Sequence, residues 1–364
     1  MNDLPTVGAE EEFLLVDQQT GESAPRNAEV AAEAERRGIT LQLELSSCQV
    51  ETTSSVVQTS GQLGEELTRL RRVAAQAAQA CGLQLLALAL PPVTPHEFPV
   101  TDTERYRRIG AQFGMVAHEQ GICGCHVHVE VPDRAAAIYV SNWLRPWLPS
   151  LLALSANSAI YRNADSGYAS WRSVLWRRWP VAGAPPFFSS PAEYDETVRM
   201  LIDTEVILDQ KMIYWDVRPS ADFPTVEVRV ADVPATVAET VLLATLIRAA
   251  VMTGLEVRDS GEEAPRLPPA ALRAAYWKAA HDGLSGRTVD LIHGRGAVPA
   301  REQLSTLVQR VRPALDALGE YDRVVDELDR IAAQGNGAVR QRDVWRRRGE
   351  ARDVVEEAAT FTLS

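Results

Sequence analysis

Lysine is nearly missing from this chain: only Lys211 and Lys278 stand among its 37 basic residues. Neither follows a glycine-rich loop, which excludes a Walker A phosphate cradle, and no G-x-G-x-x-G follows a strand-like run as a dinucleotide site requires. Any contact with phosphate must therefore come from arginine and metal. Cysteine is scarce too. Cys48, Cys81, Cys123 and Cys125 are too few to staple 364 residues with disulfides, and they fit a reducing compartment. Cys123-x-Cys125-His126 has half the spacing of a zinc site, but no second cysteine pair completes it. No run reaches the roughly 18 uninterrupted apolar residues of a membrane span. The stretch MNDLPTVGAEEE lacks a basic region followed by an apolar one, so a cytoplasmic protein with no membrane partner is expected. Positive charge is in deficit overall, the net formal charge being -12, which argues against a nucleic-acid-binding surface.

What is present suffices for a full core, since 46% of the residues are hydrophobic. Strand-like runs come early: 7–16, 40–45 (TLQLEL), 83–90 (LQLLALAL), 124–131 (GCHVHVEV), then 213–219 and 225–233 joined by SADFP. Helical periodicity marks 27–38, capped by Asn27 and stopped by Gly38, then 59–81, 105–119 and 133–158. Residues 161–188 read as a long aromatic and arginine-rich loop of functional length. The predicted organisation is one catalytic domain over 1–364, with a strand-rich part to about 234 and a helical part from about 235, broken near QGNGAVRQR. Early strands and late helices predict the α+β class.

Three strands share a habit. Side chains alternate across a strand, so Glu10 and Glu12 of GAEEEF lie on one face while Glu11 joins Phe13 and Leu15 on the other. In GCHVHVEV, His126, His128 and Glu130 oppose three valines, and in TVEVRV, Glu227 and Arg229 oppose three more. Solvated outer faces would explain one such strand. Histidine and paired carboxylates on all three point to a shared site, to which Glu44 and Glu51 of ELSSCQVET can also reach. Crowded carboxylates repel unless cations hold them, and oxygen donors with one or two histidines suit Mg²⁺ or Mn²⁺.

GAEEEF, ELSSCQVE, GCHVHV, NADSGYASWRSVLWRRWP, YWDVRPS, TVEVRVADV and GNGAVRQR, in this order over nearly the whole chain, resemble the glutamate-cysteine ligase type 2 family of YbdK-like carboxylate-amine ligases. The resemblance implies a glutamine synthetase-like fold: a curved antiparallel sheet forming a funnel-like active site, with helices packed outside. It implies ATP-dependent amide formation between the glutamate side-chain carboxylate and cysteine or another amine through an acyl-phosphate. It also implies small-molecule substrates only, and it is compatible with a homodimer. In its terms Glu10, Glu12, Glu51, His126 and Glu227 fall at metal positions, with Glu51 and Glu227 also catalytic, and Arg229 at the phosphate. Arg340 is a further nucleotide candidate. Arg162, Tyr168, Ser170, Arg172, Tyr214, Arg218 and His128 are substrate candidates, because an amino-acid carboxylate wants an arginine partner.

The residues alone also leave room for a metal-dependent amide or phosphoester hydrolase and for a catalytically silent binding protein. Dependence on ATP separates the first from a ligase, and ADP release separates the second.

Overall fold

A computed structural model describes residues 4–94, 98–119 and 121–364; His96, read from the sequence as an ordinary histidine, lies outside these. The strands are β1 (Val7–Asp17), β2 (Gln42–Leu43), β3 (Gln49–Thr53), β4 (Leu83–Leu86), β5 (Gly124–Glu130), β6 (Ile160–Tyr161), β7 (Ala164–Asp165), β8 (Val217–Pro219), β9 (Thr225–Asp232), β10 (Arg287–Val289) and β11 (Ala297–Pro299). Seven form one sheet in the order β2-β3-β1-β5-β9-β8, with β4 also paired to β1, and all its ladders are antiparallel.

Register turns the sequence alternation into a surface. Glu10 lies opposite His126 on β5 and Thr53 on β3, and Glu12 lies opposite Glu51. His128 faces Glu227 on β9, and Glu227 faces Arg218 on β8. The ionisable groups thus collect on one side of a single curved sheet. Val7, Ala9, Val127, Val129, Val226 and Val228 point the other way and are buried against helices Arg134–Leu144, Leu148–Ser155 and Val237–Asp259. Each such buried valine or leucine contributes roughly 1.5–3 kcal/mol relative to exposure, so the apolar face fixes which face is left for chemistry.

Helix Val237–Asp259 has the length and hydropathy to cross a membrane, but 89% of its most apolar window is buried inside the protein. It is the central core helix, apolar all round because neighbours surround it. The Glu11 carboxylate, on the apolar side of β1, is matched by the fully buried Arg71 at 2.6 Å. Arg71 also donates to the carbonyls of Pro234, Ala235 and Thr362, tying the first strand to both ends of the helical region.

The expected α+β class is what the chain adopts, with local differences from the sequence reading. The strand expected at 40–45 shrinks to β2, and the segment after it contains β3, which carries Glu51. The strand expected at 83–90 ends at Leu86. The helix expected at 105–119 breaks at Gly114, whose φ of 52° is outside helical space, giving Glu104–Phe113 and Met115–His118. The long loop holds the β6–β7 hairpin and helix Trp171–Trp176. Only Val217–Pro219 of 213–219 is strand, since a 3₁₀ turn, Gln210–Met212, precedes it. Helix Pro191–Asp203, absent from the sequence reading, is capped by Ser190, and the β10–β11 hairpin interrupts the helical region.

Candidate active site

The polar face of the sheet opens into a cavity of about 490 Å³. Glu10, Glu12, Glu44, Glu51, His126, Arg172, Tyr214, Arg218 and Arg229, all singled out from the sequence, line it. Aromatic rings close one wall, where Trp176 and Tyr214 pack at 4.7 Å between centroids, tilted by 50°.

The carboxylates fall into two electrostatic kinds. Burial alone would raise the Glu10 pKa, but His126, at 3.0 Å from its carboxylate, and His128, at 3.4 Å, outweigh burial and hold it well below the usual range. Among the described residues, no basic side chain pairs with Glu44 or Glu51. Burial, together with repulsion from Glu12, pushes Glu44 up to about 8, while burial and then repulsion from Glu44 and Glu10 push Glu51 well up. Near neutral pH this corner therefore retains protons that a cation would replace.

Three groups of side chains bring one ligand atom each within 4.8 Å of one another: Glu10, Glu51 and His126; Glu10, His128 and Glu227; and Glu12, Glu44 and Glu51. Two groups offer carboxylate oxygens with one imidazole and the third carboxylate oxygens alone, the donors of a hard divalent cation. Burial, then the neighbouring Arg229, lowers the His126 pKa, so the ring is neutral at pH 7. Its Nδ1 stands near both Glu10 and the Arg229 guanidinium, at 3.0 and 3.2 Å. One nitrogen cannot donate to the first and accept from the second together. The tautomer donating Nδ1–H to Glu10 leaves the Nε2 lone pair on the side of Glu12, 3.7 Å away, available as a ligand. No cysteine belongs to these groups, so among the described residues nothing builds the zinc site hinted at by Cys123-x-Cys125-His126.

Glu227 sits just behind this surface. It accepts from Arg218 Nε at 2.8 Å and pairs with Arg229. Burial opposes its ionisation, but the two guanidiniums hold its pKa well below the carboxylate range. His128 shares this layer, its Nδ1 3.0 Å from the Thr225 hydroxyl.

Six sequence candidates do not line the cavity: Glu227 and His128, just behind it, and four that stand apart. Arg162 and Asn163, with φ of 50° and 56°, form the two-residue turn of the β6–β7 hairpin, whose twist demands that conformation, and Arg162 stacks over Tyr161. Tyr168 packs on Trp171, Trp277 and His281. Ser170 caps helix Trp171–Trp176 and donates to Asp232 at 2.8 Å. Arg340 binds Glu239 and stacks over Phe361 on the far side of the core. The sequence reading missed Asp232 altogether. Strict alternation would put it on the valine face of β9, but a register shift between β5 and β9 turns it over, and it pairs with Gly124 on the face of His126.

The sequence model of the family described as "Glutamate-cysteine ligase family 2(GCS2)" matches residues 6–359. A protein of Mycolicibacterium smegmatis named "Putative glutamate--cysteine ligase 2-3" is 62% identical over 364 residues, covering 100% of both chains. A Salinispora arenicola protein named "Putative glutamate--cysteine ligase 2" is 45% identical, covering 98% of this chain and 95% of the other. Among solved structures, a glutamate–cysteine ligase of Francisella tularensis in complex with AMP superimposes with a TM-score of 0.73 at 14% identity, over 100% of this chain and 90% of that one. A bifunctional glutathione synthetase of Pasteurella multocida gives 0.71 at 15% identity, over 99% of this chain and 52% of that one. These structures share the fold, and the sequence matches place the chain in the glutamate-cysteine ligase family 2.

Proposed function

We propose that this protein is an ATP-dependent carboxylate-amine ligase that joins the side-chain carboxylate of glutamate to an amine, cysteine or another, in the cytoplasm. The observation carrying the reading is the single sheet face on which Glu10, Glu12, Glu51 and His126, with Glu44 from the segment after β2, meet Arg229 and Arg218 across one cavity. The names of the relatives support the ligase class, and the AMP in the Francisella structure supports a nucleotide substrate.

In this reading the γ-phosphoryl group of ATP passes to the glutamate carboxylate, forming an O–P bond and releasing ADP. The amine then attacks the acyl carbon, the C–O bond breaks, and phosphate and a proton leave. Arg229, whose planar fork meets two phosphoryl oxygens, would contact the transferring group. Glu227 holds that guanidinium in place. Glu10, Glu12, Glu51 and His126, with Glu44 and Glu227 beside them, would hold Mg²⁺ or Mn²⁺. A bound divalent cation screens the charge of the nucleotide phosphates.

The test is ADP release with Mg²⁺, glutamate and a panel of amines, with product masses recorded. An amine that accelerates glutamate-dependent ADP release and appears joined to glutamate in the product supports the reading. A metal-dependent hydrolase would instead cleave a preformed amide or phosphoester without nucleotide. Thorough chelation is expected to abolish turnover and Mg²⁺ or Mn²⁺ to restore it; activity that survives chelation contradicts the metal assignment.

A further inference from the structure

A second cavity, of about 410 Å³, lies against the edge strand β8, and among the described residues Arg218 alone lines both it and the catalytic cavity. Its charge is opposite to its neighbour's. Arg134, Arg199 and Arg218 border it with Asp195 as the one carboxylate, in a chain whose net formal charge is -12. Helix Pro191–Asp203 supplies Tyr194, Asp195 and Arg199 to its wall, and the 3₁₀ turn supplies Gln210. Three guanidiniums gathered around one hollow repel one another until an anion joins them.

The donors of this cavity are lightly committed. Arg134 pairs with Asp195 at 2.5 Å, but the two side chains are 45% and 47% exposed, and so open a pair exchanges readily with a competing anion. The side chains of Arg199 and Gln210 have no hydrogen-bond or ion-pair partner among the described residues. Tyr194 is buried, with the Arg134 guanidinium 5.3 Å from its ring centre, and its hydroxyl has no hydrogen-bond partner among the described residues. Burial pushes this phenol up to about 12, against the pull of the neighbouring Arg218 and Arg134, so near neutral pH it keeps a proton to donate. Unfilled donors thus outnumber the acceptors beside them.

We propose that this second cavity is an effector site for a small dianion, a molecule carrying a phosphate or two carboxylates, and that Arg218 couples its occupancy to the catalytic cavity. Charge-assisted hydrogen bonds from Arg134, Arg199 and Tyr194 would hold the dianion. Arg218 donates to Glu227 from Nε and Nη2 at 2.8 and 3.3 Å, and to the Ile213 carbonyl from Nη1, which fixes it as the wall between the two cavities. A dianion on the outer side draws on the Arg218 charge that otherwise offsets Glu227. Glu227 then presents more negative charge to the carboxylate-lined face, so occupancy should tighten the hold on Mg²⁺ that the ligase reading above assigns there, and by reciprocity Mg²⁺ should tighten the dianion.

Inorganic phosphate and malonate are the probes, one for each source of the double charge. Each would be titrated by calorimetry into the full chain in the presence of excess glutamate, and Mg²⁺ affinity would be measured by calorimetry with and without the probe. At least one probe should bind one to one, and the tighter of the two identifies the class of effector. Arg199→Glu, at an exposed position, should leave ADP release without added probe within about twofold of wild type and weaken that probe at least about tenfold. Tyr194→Phe should weaken it in the same direction, on the order of tenfold or less. In wild type the bound probe should tighten Mg²⁺ at least about twofold, and in Arg199→Glu it should not. Failure of both probes to bind, or equal binding to wild type and Arg199→Glu, overturns the site. A probe that binds through Arg199 and leaves Mg²⁺ affinity unchanged overturns the effector role. Wild type that releases no ADP with glutamate and any amine overturns the ligase reading instead, while the calorimetric comparison still decides the site.

Discussion

Two side chains on one strand, Glu227 and Arg229, do different work, and substitution should separate them. Arg229 faces the cavity with a fork that reaches phosphoryl oxygens, so its value grows as charge spreads there. Arg229→Lys keeps the charge and loses the second contact; turnover should fall by on the order of 10²-fold, with no rescue by added Mg²⁺, in steady-state ADP release. Glu227 is spent on two guanidiniums. Glu227→Gln should therefore weaken apparent metal affinity and also destabilise the fold, by about 3 kcal/mol in denaturant unfolding, because two buried cations lose their counter-ion. An unchanged midpoint would show that Arg218 and Arg229 find other partners. Residue identity was legible here because ionisable groups alternate with valines. Asp232 was hidden by the same rule, since strict alternation assigns it to the apolar side, and only the fold shows the hydroxyls and the arginine that gather round it.

At the scale of the element, β1 carries three consecutive glutamates whose fates differ by face. Glu10 and Glu12 face the cavity; Glu11 is buried with Arg71 of helix Ser60–Ala80. Arg71 also serves three carbonyls and neighbours the Thr240 hydroxyl, so Arg71→Met strands Glu11 and several acceptors together. A loss of about 3–5 kcal/mol in unfolding free energy is expected, with turnover of the folded fraction little changed at low temperature. A variant of wild-type stability would mean that the pair is dispensable. The alternation of β1, β5 and β9 was readable because each run is long and strictly periodic. Strand β3 was not, since SSCQVETTS carries little apolar alternation and becomes a strand by pairing with β1. The arginine-rich loop misled in the same way: Arg162 and Ser170 look chemical in the sequence, yet a hairpin turn and a helix cap claim them. Register between β5 and β9, some hundred residues apart in the chain, is set by burial of the valine face and cannot be read from either segment alone.

At the scale of the whole molecule, the site should appear in how stability depends on pH. A carboxyl whose folded pKa lies above its unfolded value of 4.5 makes the folded state bind more protons, so its contribution is fully present below pH 4.5 and is lost as pH rises through the folded pKa. Glu44, raised to about 8, and Glu51, also raised, behave this way. Glu10 and Glu227 are depressed and act in the opposite sense, with stability lost only as pH falls below the ordinary carboxylate range. The two effects occupy different windows. Between about pH 6 and pH 8 folded Glu44 still holds a proton that the unfolded chain has lost, while Glu10 and Glu227 are ionised in both states, so the melting temperature of metal-free protein should fall across that interval. Glu44→Gln should flatten the fall and raise the melting temperature at the alkaline end, because it removes the like charge that crowds Glu51. Glu10→Gln should not, since Glu10 is held by two histidines and its substitution removes the carboxylate they face. Saturating Mg²⁺ should reduce or reverse the wild-type slope, as the cation takes the place of the protons and binds more tightly as they leave. If the slope of the metal-free protein is flat from pH 6 to 8 and indifferent to Glu44→Gln, the carboxylates on this face are already compensated within the chain, and the requirement for a cation has lost its physical ground.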